Sequence, residues 1–117
     1  MIVHCMLAAT WEERRNKPLW GQRNLNRDGF IHCSSLEYLW RVAPGFERVA
    51  EPMVLVLLDE SRLTSRVLYE DGDGCGRAYP HIYGLVNPEA VAGVLPFLRD
   101  ADGRYVKNPE LAGIEDK

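Results

Sequence analysis

Met53-Val54-Leu55-Val56-Leu57-Leu58 is an unbroken apolar run with no polar alternation and no helix cap in front of it. A run of this length is too short for a buried helix, and its lack of alternation marks a strand covered on both faces. The chain therefore has a central strand with packing layers on either side. Working outward, Ile2 to Met6 reads as a short strand with Ile2, His4 and Met6 on one face. Phe30 to Cys33, Arg66 to Glu70 and Ala78 to Tyr83 read as further strands. Val91 to Leu98 and Gly103 to Val106 read as a terminal hairpin across Asp100-Ala101-Asp102-Gly103.

Helical signals are fewer. Thr10-Trp11-Glu12-Glu13 is a capping-box pattern and predicts a helix from Trp11 to about Asn16, which Pro18 forces to an end. Ser34-Ser35-Leu36-Glu37 repeats the pattern, and Leu36, Leu39, Trp40 and Ala43 behind it fall on one buried face until Pro44-Gly45. Asp59 to Leu63 reads as one helical turn, and Asn87-Pro88-Glu89 as a cap with proline at the first helical position. Trp20-Gly21-Gln22-Arg23-Asn24 reads as polar loop, Asp28-Gly29 as a turn, and Asp71 to Gly76 as a flexible loop rich in glycine. Strands outnumber helices, and the late connections are too short for helical crossovers. The expectation is an α+β domain with mixed or mainly antiparallel sheets and short flanking helices.

The chain has 117 residues, enough for one domain that buries a core without staples. We expect a single domain over residues 1–107 and a polar tail over 108–117. The formal net charge of −3 is too mild to imply a membrane or nucleic-acid partner. Residues 1–50 carry 7 basic and 5 acidic side chains against 7 and 12 in the rest, a difference that could serve an anionic ligand or be ordinary surface variation. Three cysteines, no signal-peptide pattern at Met1-Ile2-Val3-His4 and no long apolar run point to a cytoplasmic protein with reduced thiols.

All three histidines lie in strand-like or strand-flanking segments. His4 sits between Val3 and Cys5, His32 between Ile31 and Cys33, and His81 follows Pro80 in an aromatic cluster. A buried imidazole must find partners or carry a desolvation cost, so each has a structural reading as a satisfied core residue. Three together also suit chemistry, because imidazole titrates near neutral pH and serves as donor, acceptor or ligand. Ser34 and Ser35, at the expected helix start, would offer free N–H groups to a phosphate or carboxylate, or Ser34 would simply cap the helix. Tyr79, His81 and Tyr83 share a strand face that suits a flat ring such as a nucleobase or nicotinamide, or an aromatic core. The Asp71 to Gly76 loop could act as a lid over it. That loop lacks the third acidic ligand and terminal glutamate of a calcium site. His4-Cys5 and His32-Cys33 point successive residues to opposite faces and show no zinc-ligand spacing, so no metal is expected.

Gly29-Phe30-Ile31-His32-Cys33-Ser34, the Met53 to Leu58 strand, Glu70 and Pro80-His81-Ile82-Tyr83-Gly84 together resemble a small bacterial family, domain of unknown function 952, over roughly residues 2–106. The family's fold resembles that of ADP-ribosyltransferases, which split NAD at the nicotinamide–ribose bond. That resemblance implies His4 for the first-strand residue that holds the NAD ribose. It implies Phe30 to Ser34 for the second-strand motif beside the nicotinamide, with His32 where those enzymes usually have Tyr or Ser. RNA 2′-phosphotransferases also carry a histidine in this region. Glu70 or His81 would take the late-strand role of acid or base, with no Glu-x-Glu or Gln-x-Glu motif around either. NAD enters as a possible substrate, and the alternative is a non-catalytic nucleotide-binding module or a structural domain with core histidines.

Overall fold

The computed structural model describes residues 1–117. Its frame is two antiparallel sheets. The larger has the order β3-β1-β4-β7, with β1 at Ile2–Leu7, β3 at Ser34–Ser35, β4 at Met53–Leu58 and β7 at Val91–Pro96. The smaller has the order β2-β6-β5, with β2 at Ile31–His32, β5 at Arg66–Glu70 and β6 at Tyr79–Tyr83. The α+β class and the antiparallel pairing follow the expectation.

The central strand lies between β1 and β7 and is covered on both sides, as its composition requires. Val56 and Leu58 join Ile2, Met6, Ile31 and Ile82 in an apolar layer that includes residues of both sheets. Leu55 and Met53 face the other way, onto Val3, Leu39, Phe97 and Leu111. Residues 108–117, expected as a polar tail, pack onto this second layer. Asn108 and Leu111 are buried, and the Lys117 N–H donates to the Glu37 carbonyl at 2.9 Å.

The chain between Ile31 and Ser35 passes from one sheet to the other. Its first half pairs with β6, setting His32 opposite His81, and its second half pairs with β1. Here the expected helix start at Ser34 is wrong. The edge of β1 needs a partner, and Ser34 and Ser35 supply it. The Ser34 hydroxyl donates to the Ser35 carbonyl at 2.7 Å, so it caps nothing. Helix α3 begins later, at Leu39–Val42, with no side-chain cap, and leaves Trp40 exposed rather than buried. Tertiary pairing has overridden a local capping pattern.

Three further expectations change. Helix α1 runs from Ala8 to Arg14, directly out of β1, so Thr10 lies inside it and not at its cap. The stretch read as loop after Trp20 becomes helix α2, Gln22–Asp28, and Trp20 itself is buried. The Asp28-Gly29 signal marks the C-cap of that helix, where Gly29 adopts φ 82° and donates to the Leu25 carbonyl at 2.8 Å. The terminal hairpin is kept only at its tip, where Arg99 bridges Tyr105 and the Val106 N–H donates to the Leu98 carbonyl at 2.8 Å and the Asp100 N–H to the Arg104 carbonyl at 2.9 Å, while the longer arm, Val91–Pro96, pairs with β4 instead. No helix is long and apolar enough to cross a membrane.

Candidate functional site

His4 stands on the face of β1 that carries Ile2 and Met6, inside the apolar layer between the sheets. Burial pushes its imidazole down to about 4 from an ordinary value near 6.5, against a bond to the His32 carbonyl that favours the charged form. The ring is therefore neutral at pH 7. Its Nδ1 lies 2.6 Å from the His32 carbonyl oxygen, which can only accept, so Nδ1 carries the proton and donates. The Nε2 lone pair makes no hydrogen bond within the protein and is not sealed from solvent.

His81 and Phe30 stack at 4.0 Å between ring centroids with planes 17° apart. The His32 ring lies edge-on to His81 at 5.5 Å. His81 Nδ1 is 2.9 Å from Glu70 Oε1, and the Tyr83 hydroxyl donates to the same oxygen at 2.5 Å. The Tyr83 hydroxyl first, and His81 second, hold the Glu70 carboxyl below the usual carboxylate range. Glu70 is thus a carboxylate at neutral pH and fixes the His81 ring with its proton on Nδ1. The His32 Nε2 rests on Asp28 at 3.3 Å, and Asp28 also takes the Arg27 Nε at 3.0 Å.

One open cavity of about 990 Å³ receives His4, His32 and His81 together. Of the other sequence-derived candidates, Ser34 and Tyr79 also line it, whereas Ser35, Glu70 and Tyr83 do not. Glu70 reaches the cavity only through His81. No helix begins at Ser34, so that segment cannot present helix N-terminal amides to an anion. The loop after β5 contributes Gly72, Asp73 and Cys75 to the cavity rim. Within it the Asp71 carboxylate accepts from the backbone N–H groups of Cys75 and Gly76 at 3.0 and 2.7 Å.

Residues 5–94 match a family described as "Protein of unknown function (DUF952)". The chain belongs to this family. Among solved structures, this DUF952 chain is similar to protein CC0527 from Caulobacter crescentus. A crystal structure of CC0527 shares 25% identity over 90% of this chain and 92% of that one, with a TM-score of 0.77. A solution NMR structure of CC0527 shares 26% identity over 95% and 96%, also with a TM-score of 0.77. No curated protein sequence gives a match.

Four arginines of the DUF952 chain, Arg14, Arg23, Arg27 and Arg41, line the same cavity, with Glu51 and Asp73 as its carboxylates. Sequence reasoning missed all four. Arg23 and Arg27 lie four residues apart on α2, and Thr10 and Arg14 four apart on α1, so each pair shares a helix face. The Arg23–Arg27 spacing was available in the sequence, but only to a reading that had already made residues 22–28 a helix.

Proposed function

We propose that this chain has an ADP-ribosyltransferase-like core and that the cavity binds NAD, ADP-ribose or a related nucleotide, on which it acts as an ADP-ribosyltransferase-like or phosphotransferase-like enzyme. One observation carries the reading. Three imidazoles from separate strands open onto a single cavity whose volume, about 990 Å³, suits a nucleotide-sized ligand. The neutral His4 offers its Nε2 lone pair to a ribose hydroxyl, which donates to it. His32, at the solvent-exposed mouth, contacts the base or the nicotinamide, with Tyr79 as a flanking ring. His81 serves as acid or base, and Glu70 positions it, in the arrangement by which a carboxylate fixes the tautomer of a reacting imidazole. In a transfer step the C1–nitrogen bond of the nicotinamide ribose breaks, and its electron pair leaves with nicotinamide. An acceptor oxygen bonds to C1 and gives its proton to His81.

A second reading is favoured by the place of Glu70. Glu70, the carboxylate bonded to His81, lies behind that ring and does not line the cavity, so it gives a ribosyl cation no direct contact. The chain would then bind the nucleotide without turning it over. Incubating the purified protein with NAD, alone and with RNA or protein acceptors, separates the two by the release of nicotinamide. Calorimetry with ADP-ribose tests binding itself, which His32→Ala should abolish in either case. Absence of binding to both nucleotides removes both readings and leaves the histidines as structural residues.

A further inference from the structure

Arg14, the last residue of α1, is only 7% exposed, yet its guanidinium makes no hydrogen bond and no ion pair within the protein, and its nitrogens are not sealed from the cavity. Its guanidinium stands 5.6 Å from the ring centroid of Trp20, which compensates part of the charge. Its neighbours are provided for. Arg15 meets Glu12 at 3.4 Å, Arg23 meets Glu13 at 3.4 Å, and Arg27 meets Asp28 at 3.0 Å. Burial first, then repulsion from Arg23 and to a lesser degree Arg27, against an opposing pull from Glu13, holds the Arg14 guanidinium below its ordinary value. A second, independent polar group lies in the same wall. The Asn24 Oδ1 is sealed from solvent without a partner, and Asn24 lines the cavity together with Arg14, Arg23 and Arg27. The other end of the amide, Nδ2, makes no hydrogen bond within the protein and is not sealed, so its N–H groups are the ones free to donate to an anion.

A guanidinium held in the cavity wall without a carboxylate, beside an amide whose N–H groups have no partner in the protein, is a donor set that one anion in the cavity meets. We propose that Arg14, with Asn24, Arg23 and Arg27, forms the phosphate-binding end of the cavity, so that the ligand is a phosphate or pyrophosphate ester and not a neutral nucleoside. This deepens the nucleotide reading and rests on it only for what the phosphate is attached to. The ion pairs of Arg23 and Arg27 are single and largely exposed, hence weak, and both side chains can turn to a bound anion. Several guanidinium forks around one point suit the many oxygens of a phosphoryl group better than the two of a carboxylate. The phosphate lies against α1 and α2, and the rest of the ligand extends along His4 toward His32, His81 and Tyr79.

The test uses the full chain, with calorimetry and thermal melting, and four probes: pyrophosphate, ADP-ribose, adenosine and succinate. Pyrophosphate and ADP-ribose should bind, and adenosine and succinate should not. Arg14→Met should weaken both phosphate ligands by about 10- to 100-fold, the loss expected for charge-assisted hydrogen bonds. It should leave the melting temperature of the free protein unchanged or higher, because a guanidinium with no ionic partner gives way to an apolar side chain of similar length. A purely structural Arg14 would do the reverse, lowering the melting temperature and sparing affinity. Should Arg14→Met fail to fold, Asn24→Leu takes its place and should weaken pyrophosphate several-fold. ADP-ribose binding that is indifferent to both variants overturns the phosphate end and leaves the nucleotide reading intact. Pyrophosphate binding that depends on Arg14, without binding of NAD or ADP-ribose, sustains the phosphate end and removes the nucleotide. Failure of pyrophosphate to bind, or equal binding by succinate, overturns the proposal.

Discussion

His4 donates from Nδ1 to the His32 carbonyl, and the same burial that makes this bond necessary keeps the ring neutral. The consequence is a dependence of stability on pH. Between about 6.5 and 4 the unfolded chain takes a proton on His4 that the folded chain refuses, so stability falls as the pH drops through that window. The total is on the order of 3 kcal/mol. Arg14, His32 and Arg27 are the charged or titratable groups acting on the ring, and all three oppose its protonation. His4→Gln should be less stable than the wild type at pH 7.5 and show a shallower loss from pH 6.5 to 4.5 in urea midpoints. Parallel pH profiles for the two proteins would show that His4 is not the group responsible. At this scale the histidines were legible because each stands among apolar strand residues, where a polar ring is conspicuous. Arg14 was not, because an arginine near a helix end reads as surface until the helix is packed.

The start of α2, one of the helices that frame the cavity, depends on a glycine packed closely against Ile31. Gly21 starts α2 at φ 112°, a conformation that L side chains rarely adopt, and a Cβ there would lie 2.5 Å from Ile31 Cδ1. Gly29 ends the same helix at φ 82° with open space around it. Gly21→Ala should therefore cost several kcal/mol, from strain and collision together, and Gly29→Ala about 1 kcal/mol, from strain alone. Ile31→Val removes the colliding methyl and should recover part of the Gly21→Ala loss, a coupling that a double-mutant cycle in chemical denaturation reads directly. Equal costs at the two glycines would mean that the close approach to Ile31 is relieved by movement of α2. This helix was hidden in the sequence for a physical reason. Leu25 is its one large apolar residue, so no 3.6-residue periodicity exists to be seen. The central strand was legible for the converse reason. Both its faces are buried, and that requirement left no position for a polar residue. The short strand at Ser34 was misread because pairing with β1 is a contact between residues some thirty positions apart, which no local capping pattern reports.

The whole molecule carries a formal charge of −3, yet the cavity gathers four arginines against two carboxylates. The two scales predict opposite responses to salt. If the overall charge governed the approach of an anionic ligand, added salt would screen a repulsion and speed association. If the cavity governs it, salt screens an attraction and slows association, because charges that line a concave wall act on the ligand over the last few ångströms and within a Debye length of about 10 Å at 0.1 M salt. The cavity should win, since the excess acidic residues belong to the second half of the chain while Arg14, Arg23, Arg27 and Arg41 all come from the first. Stopped-flow association of a fluorescent ADP-ribose analogue should slow severalfold between 20 and 200 mM salt. Arg23→Gln should flatten that dependence, because its exposed guanidinium lies where an arriving anion is first felt. A rate that rises with salt would assign control to the net charge and remove the arginine wall as the guide for ligand entry.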